Sequence, residues 1–103
     1  MLALSDDTRE RIAALCRRHR VARLELFGSA RTERFDPTRS DADFLVSFEP
    51  ASRDDLTAYL DFKEGLEALL GRPVDLIERR AIEASRNYIR RRRILGEAEA
   101  VFG

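Results

Sequence analysis

The chain has 103 residues, of which 44% are hydrophobic and 37% charged, and its 19 basic and 19 acidic residues give a formal net charge of zero. This length fits one domain over residues 1–103, and the lack of a basic excess argues against direct nucleic-acid binding. No apolar run approaches the roughly 20 residues of a membrane span, and no signal peptide is recognisable. A single cysteine, Cys16, is typical of a reducing compartment, so we expect a cytoplasmic protein without a membrane association.

The N-terminal part of the chain predicts a helix followed by a strand. Asp6 and Asp7 can cap the helix, and Glu10 stands three residues after Asp7 as in a capping box. Apolar residues then recur at helical spacing until the helix ends before Val21. Residues 23–27 alternate between polar and apolar side chains, which indicates a first strand with one buried face.

The rest of the chain predicts two more strands and two more helices. After a polar loop, residues 42–48 form an apolar second strand, and residues 52–70 form a helix with a broad apolar face. Residues 74–77 predict a short third strand, and residues 83–102 predict a final helix. This order favours an α+β fold in which helices pack on a small mixed β-sheet.

A glycine and a serine follow the first predicted strand. Gly28 permits a positive φ angle and a close approach of another group to the backbone. The Ser29 hydroxyl and the free N–H groups of such a turn suit phosphate oxygens. By itself the pair indicates only a turn, because Gly-Ser is common in turns.

Two aspartates separated by one residue begin the second predicted strand. Asp41 and Asp43 are expected on the same side of that strand, with Cα atoms roughly 6.6–6.8 Å apart. Their carboxylates can converge on one cation, and Mg²⁺ takes carboxylate, water and phosphate oxygens as ligands. The alternative is that the two aspartates are simply the polar, solvent-exposed start of a strand. Without further evidence, an Asp-x-Asp pair favours this alternative.

A third aspartate, Asp75, lies in the otherwise apolar predicted strand 74–77. Since burial of an unpaired charge is very costly, we expect this carboxylate to have a partner. That partner is either a metal shared with Asp41 and Asp43 or one of the chain's many arginines.

Three segments in a fixed order carry a family resemblance. Residues 26–30 (Leu-Phe-Gly-Ser-Ala), residues 40–46 (Ser-Asp-Ala-Asp-Phe-Leu-Val) and residues 71–77 (Gly-Arg-Pro-Val-Asp-Leu-Ile) resemble the minimal nucleotidyltransferases of the DNA-polymerase-β-like superfamily. Within that superfamily the chain is most similar to MntA-type antitoxins, the partners of HepT-type toxins that carry a HEPN domain. The similarity extends over nearly the whole chain and includes residues 88–102.

The resemblance implies a polymerase-β-like nucleotidyltransferase fold, ATP as substrate, and two Mg²⁺ ions as cofactors. It assigns metal binding and catalysis to three carboxylates, with the last of them also able to accept the proton of the nucleophile: Asp41, Asp43 and Asp75. It assigns nucleotide binding to Gly28, Ser29 and Ser40.

The resemblance leaves three functions open. The first is transfer of AMP from ATP to a tyrosine hydroxyl of a HepT-like HEPN-domain toxin, as in a type VII-like toxin–antitoxin pair. The second is a catalytically idle antitoxin that neutralises its partner by binding alone. The third is nucleotidyl transfer to a small molecule, for which a chain of this length offers no separate acceptor domain. The intact set of carboxylates favours the first, and a homo-oligomer stays open in each case.

Overall fold

The computed structural model describes residues 4–28 and 42–103. The elements of these residues, in chain order, are α1 (Asp6–Arg18), β1 (Val21–Phe27), β2 (Ala42–Phe48), a short 3₁₀ helix (Pro50–Ser52), α2 (Leu56–Leu70), β3 (Val74–Glu78), α3 (Arg79–Glu83), α4 (Tyr88–Glu97) and β4 (Glu99–Phe102). None of the helices in these two ranges is long and apolar enough to cross a membrane.

The four strands form one mixed sheet in the order β3-β2-β1-β4. β1 runs antiparallel to both β2 and β4, whereas β2 and β3 are parallel. The prediction that strands 23–27, 42–48 and 74–77 lie adjacent in one mixed sheet is therefore confirmed, as is the α+β class.

The predicted cap of the first helix is wrong, because the helix is capped one residue before Asp6 and two before Asp7. Ser5 is the N-cap, and its hydroxyl accepts a hydrogen bond from the backbone N–H of Thr8 at 3.1 Å. Asp6 and Asp7 instead occupy the first turn, where their negative charges suit the positive end of the helix dipole. A serine hydroxyl satisfies the free N–H group as well as a carboxylate does, so the sequence permitted either cap.

The prediction of one final helix over residues 83–102 is wrong in its last part. The helix α4 ends at Glu97, and Glu99–Phe102 forms the strand β4, in which Phe102 pairs with Leu24 of β1. Pairing gives the backbone of β1 hydrogen-bond partners along the side that β2 does not occupy, and this tertiary gain overrides a weak local helix preference. Helix α2 likewise begins at Leu56, later than predicted, with Asp55 as its N-cap.

The larger hydrophobic cluster lies between α1, α2 and one face of the sheet. Alternate strand residues such as Leu24, Phe44 and Leu76 contribute to it, and Phe62 and Leu66 contribute from α2. Cys16 of α1 is fully buried in the same cluster, and this burial raises the pKa of its thiol to about 12, with Arg17 nearby acting in the opposite direction. Cys16 therefore has a packing role, because a thiol with so high a pKa is unreactive at neutral pH.

The opposite face of the sheet packs on α3 and α4 over a smaller apolar cluster. Its buried members are Phe27, Leu45, Ile82 and Ile94. This face also carries the polar side chains of the sheet, and it is the face on which the predicted site residues lie.

Candidate nucleotide and metal site

Asp43 and Asp75 are direct register partners in the parallel pair of β2 and β3. Neighbouring strands lie about 4.8 Å apart, and partner residues point to the same face of the sheet, so the two carboxylates are side by side. Both stand near the N-terminal ends of their strands, where β1 reaches its C-terminal end at Phe27. Their separation is well inside the ~10 Å that sharing of two adjacent metal ions allows.

Gly28 closes the site on the β1 side. Its φ angle is +68°, a conformation that residues with a Cβ rarely adopt. A Cβ atom at this position would lie only 2.6 Å from Oδ2 of Asp43, which is far too close. Glycine is therefore required here both for the turn and for the approach of the Asp43 carboxylate to the backbone.

Three of the six predicted site residues lie outside the described residues, namely Ser29, Ser40 and Asp41. The structure brings the other three together: Gly28, Asp43 and Asp75. No group of three or more metal-ligating side chains occurs within residues 4–28 and 42–103, a range that contains only two of the three predicted carboxylates. The roles of all six residues stay predictions.

The reason given for a partner of Asp75 was wrong. The argument assumed that an apolar strand buries its aspartate, whereas Asp75 is exposed between the buried residues Val74 and Leu76. The strand lies at the edge of the sheet, so one of its faces is apolar and the other reaches solvent near Asp75. The case for a shared cation therefore rests on the pairing of two carboxylates and not on burial.

The donor set fits Mg²⁺. Carboxylate oxygens are the protein ligands that Mg²⁺ prefers, and it usually retains water and substrate phosphate oxygens as further ligands. Like charges directly opposite on neighbouring strands are destabilising, and a shared cation relieves the repulsion between Asp43 and Asp75. An open, partly exposed pair suits a metal that arrives together with a nucleotide.

Two side chains of α2 hold the outer edge of β3 on either side of Asp75. The Glu67 carboxylate accepts a hydrogen bond from the backbone N–H of Val74 at 3.0 Å, and the Tyr59 hydroxyl donates to the carbonyl oxygen of Leu76. Burial, together with the negative charges of Asp75 and Glu78, raises the pKa of the Tyr59 phenol. The sequence pattern suggested only a packing role for Tyr59, because its place in an apolar helical stripe gives no sign of this contact.

A buried ion pair lies beside the aspartates on the same face of the sheet. Glu25 of β1 is only 2% exposed, and Nη1 of Arg79 donates to its two carboxylate oxygens at 2.6 and 2.8 Å. Nε of Arg23 lies 3.4 Å from the same carboxylate. The pair joins the first residue of α3 to the sheet, one side-chain row from Asp43, and thereby fixes the helix over this face.

A mixed four-stranded sheet with paired aspartates beside a glycine turn is the arrangement that the family resemblance implies. The family model for the nucleotidyltransferase domain matches residues 9–97, so the chain belongs to this family. It is also 33% identical to a solved structure described as "Structure of putative minimal nucleotidyltransferase", with a TM-score of 0.70 over 90% of this chain and 88% of that one. The chain is thus a nucleotidyltransferase of the minimal kind.

Among curated proteins, the chain is similar to "Putative protein adenylyltransferase MJ1379" of Methanocaldococcus jannaschii. The two are 38% identical over 66 residues, which is 63% of this chain and 64% of that protein. The matched region is therefore slightly less than two thirds of the relative's length.

Two solved toxin–antitoxin structures share the fold at lower identity. One contains AMP-PNP and matches with a TM-score of 0.67 and 23% identity over 92% of this chain and 73% of that chain. The other is a tri-AMPylated HEPN toxin of Shewanella oneidensis in complex with an MNT antitoxin, with a TM-score of 0.61 and 21% identity over 93% and 70% of the two chains. Two further structures, named as toxin–antitoxin MntA–HepT pairs, match at 21% identity with TM-scores of 0.65 and 0.62, so the chain shares this fold.

Proposed function

We propose that this nucleotidyltransferase transfers AMP from ATP to a tyrosine hydroxyl of a HEPN-domain toxin, with Mg²⁺ as cofactor. The observation that carries the proposal is the direct pairing of Asp43 and Asp75 beside the Gly28 turn. The names of similar proteins support a HEPN toxin as the acceptor of AMP. One is called a putative protein adenylyltransferase, and another structure contains an MNT antitoxin in complex with an AMPylated HEPN toxin.

Each part of the site has a distinct task in the proposed reaction. Asp43 and Asp75, together with Asp41 outside the described residues, would hold Mg²⁺, which lowers the pKa of the attacking hydroxyl and offsets the charge of the leaving group. Gly28 leaves room for the Asp43 carboxylate against the backbone, and Gly28, Ser29 and Ser40 are proposed as the contacts of the phosphates.

The chemical step is an in-line displacement at the α-phosphorus of ATP. The bond from the tyrosine oxygen to the α-phosphorus forms while the bond from that phosphorus to the bridging oxygen of the β-phosphate breaks, and pyrophosphate leaves. The tyrosine proton passes to the Asp75 carboxylate, which is exposed and lies on the edge strand where a second protein can approach. Positioning is the main requirement, since such transfers depend largely on orientation and electrostatic stabilisation.

The test is incubation of the chain with ATP, Mg²⁺ and the protein encoded by the neighbouring gene as the candidate acceptor, followed by intact-mass measurement. We expect AMP-sized additions to the partner, and Asp75→Asn should reduce their rate by at least about a hundredfold, because a metal ligand and proton acceptor is removed. Asp61→Asn, a change at an exposed aspartate on the far side of α2, is the matched control and should leave the rate unchanged.

Nucleotide binding is checked separately by melting curves. Mg²⁺ with ATP should stabilise the wild-type protein by mass action on the folded state, and Asp43→Asn should remove most of this effect. If the partner's mass never changes while Asp75→Asn still silences its toxicity, transfer is not the function. Inhibition by binding alone then replaces it.

A further inference from the structure

A groove with a volume of about 500 Å³ lies along the outer side of β3, between the start of α2 and α3. We call it the β3–α2 groove, and the lining residues that matter here are Asp54, Asp55, Leu56, Tyr59, Ile77 and Glu78. This volume falls within the range of cavities that bind ligands in proteins. Nothing in the proposed nucleotide site uses it.

The groove lies along the strand that carries Asp75. Ile77 follows Asp75 by two residues on β3, so both side chains lie on the same face, with Cα atoms roughly 6.6 Å apart. Tyr59 lines the groove and its hydroxyl reaches the Leu76 carbonyl, and the charge of Asp75 contributes to its raised pKa. A molecule that contacts Ile77 in the groove is therefore close to Asp75.

The lining combines an apolar floor with a negative rim. Leu56 lines the groove and is 68% exposed, so its apolar side chain is accessible to a bound molecule. Asp54, Asp55 and Glu78 supply three carboxylates around the groove against the single guanidinium of Arg53. This combination is complementary to a polypeptide segment with an apolar or aromatic side chain and positive flanking charges.

Two outward-facing backbone groups of β3 are already occupied. The Val74 N–H donates to Glu67 and the Leu76 carbonyl accepts from Tyr59, and both side chains belong to α2. A strand added at this edge would have to displace them, so we expect a segment in the groove to be held by contacts with side chains.

From these observations we infer that the β3–α2 groove binds the acceptor segment of the protein substrate, a basic peptide segment that presents its tyrosine hydroxyl to Asp75. The inference rests on the proposed function and adds to it the chemistry of the segment that is modified. Leu56 and Glu78 become residues that determine substrate specificity, with no part in nucleotide binding.

The experiment measures binding of two short fluorescent peptides, each with one central tyrosine, to the full chain by anisotropy. One peptide has lysines and arginines around the tyrosine, and the other has glutamates at those positions. Wild type should bind the basic peptide and not the acidic one. Leu56→Ser and Glu78→Lys should each weaken this binding about tenfold, as expected for loss of one good contact.

Two control variants lie outside the groove lining. Ile89→Ser removes another exposed apolar side chain, which is 79% exposed, and Asp61→Lys reverses a charge beside a different surface that includes His19. Both should bind the basic peptide like wild type. All four substitutions fall at accessible positions, and unchanged melting temperatures would show that the fold is intact.

Several outcomes would overturn the inference. These are absence of basic-peptide binding to wild type, equal binding of the acidic peptide, or equal losses of binding in groove and control variants. A wild-type dimer that Leu56→Ser converts to a monomer would also overturn it, because the groove would then join two copies of this chain.

The mass assay separates this inference from the proposed function. Specific peptide binding without any AMP transfer would refute the proposed function alone. AMP transfer to the partner with the same KM in wild type and Leu56→Ser would refute the role of the groove alone.

Discussion

The two faces of the sheet in this nucleotidyltransferase have different compositions. The face toward α1 and α2 is apolar over its centre, and its largest side chains there, such as Phe44 and Leu24, are fully buried. The face toward α3 and α4 alternates apolar residues with carboxylates, which include Glu25, Asp43 and Asp75. One face of the same three strands thus contributes the main hydrophobic core, and the other face carries the side chains of the proposed reaction.

This difference follows from the two-residue period of a strand. Phe44 and Asp43 are consecutive, yet one contributes to the main core and the other to the candidate site. A rigid apolar face under the site fixes the positions of its carboxylates without any loop having to do so. Substitutions on the two faces should therefore have separable effects on folding and on nucleotide binding.

The largest effect is expected on the apolar face. Phe44→Ala should lower the free energy of unfolding by about 3–5 kcal/mol, because it removes a fully buried aromatic ring and leaves a cavity. Chemical denaturation would measure it, with Ile89→Ala as the control, since Ile89 is 79% exposed. A loss below ~1 kcal/mol for Phe44→Ala would mean that this face is not the main source of stability.

The next largest effect is expected from a substitution that tests whether the polar face also stabilises the fold. Arg79→Ala leaves the buried Glu25 carboxylate without its closest partner and should cost about 3 kcal/mol, part of which Arg23 offsets. The double variant Glu25→Leu with Arg79→Met should recover most of that loss, because an apolar pair of similar size has no charge to bury. Denaturation curves that show no recovery would contradict this account of the ion pair.

A matched pair of glycines separates backbone strain from site geometry. Gly28 and Gly71 have nearly identical φ angles, +68° and +67°. The backbone strain of alanine at either position should therefore lower the free energy of unfolding by about 1–2 kcal/mol. At Gly71 an added Cβ meets nothing within 4 Å, whereas at Gly28 it meets the Asp43 carboxylate. Only Gly28→Ala should therefore abolish stabilisation by Mg²⁺ with ATP in melting curves, and equal losses in both variants would refute a special role of Gly28.

The smallest effect concerns the clamp on β3, by which we mean the hydrogen bonds of Glu67 and Tyr59 in α2 with the backbone of β3. Tyr59→Phe removes the hydrogen bond to the Leu76 carbonyl and should lower the free energy of unfolding by about 1 kcal/mol. Since the pKa of Tyr59 is raised in the folded state, its contribution should be complete below the pKa of an unfolded tyrosine, about 10, and should decline as the pH rises above that value. Unfolding curves at neutral and alkaline pH would show this decline in wild type and a smaller one in Tyr59→Phe.

The sequence predicted the elements whose side-chain pattern is set locally. Strand β2 was predicted with the bounds 42–48 that the structure has, because its apolar run is bounded by polar residues on both sides. The family resemblance implied that Asp43 and Asp75 share one site, whereas the residues alone left open whether the partner of Asp75 is a metal or an arginine. Their register, by contrast, depends on how β2 and β3 pair, and no local pattern specifies that pairing.

What the sequence could not show arises from contacts between distant segments. The ion pair of Glu25 and Arg79 joins residues 54 positions apart, and neither residue differs in its local pattern from other charged residues nearby. The strand β4 was assigned to a helix because its four residues form regular structure only against the free edge of β1. The exposure of Asp75 likewise depends on the edge position of β3, which is a property of the whole sheet.

The clamp on β3 has a consequence for the behaviour of the protein in concentrated solution. An unprotected edge strand is a template on which strands of other molecules can add, and repeated addition leads to aggregation and amyloid. In β3, Glu67 and Tyr59 occupy the Val74 N–H and the Leu76 carbonyl, so an incoming strand would have to displace two side chains of α2 before it could pair there. The contacts that hold the Asp75 strand in place therefore also protect this edge of the sheet against fibril formation.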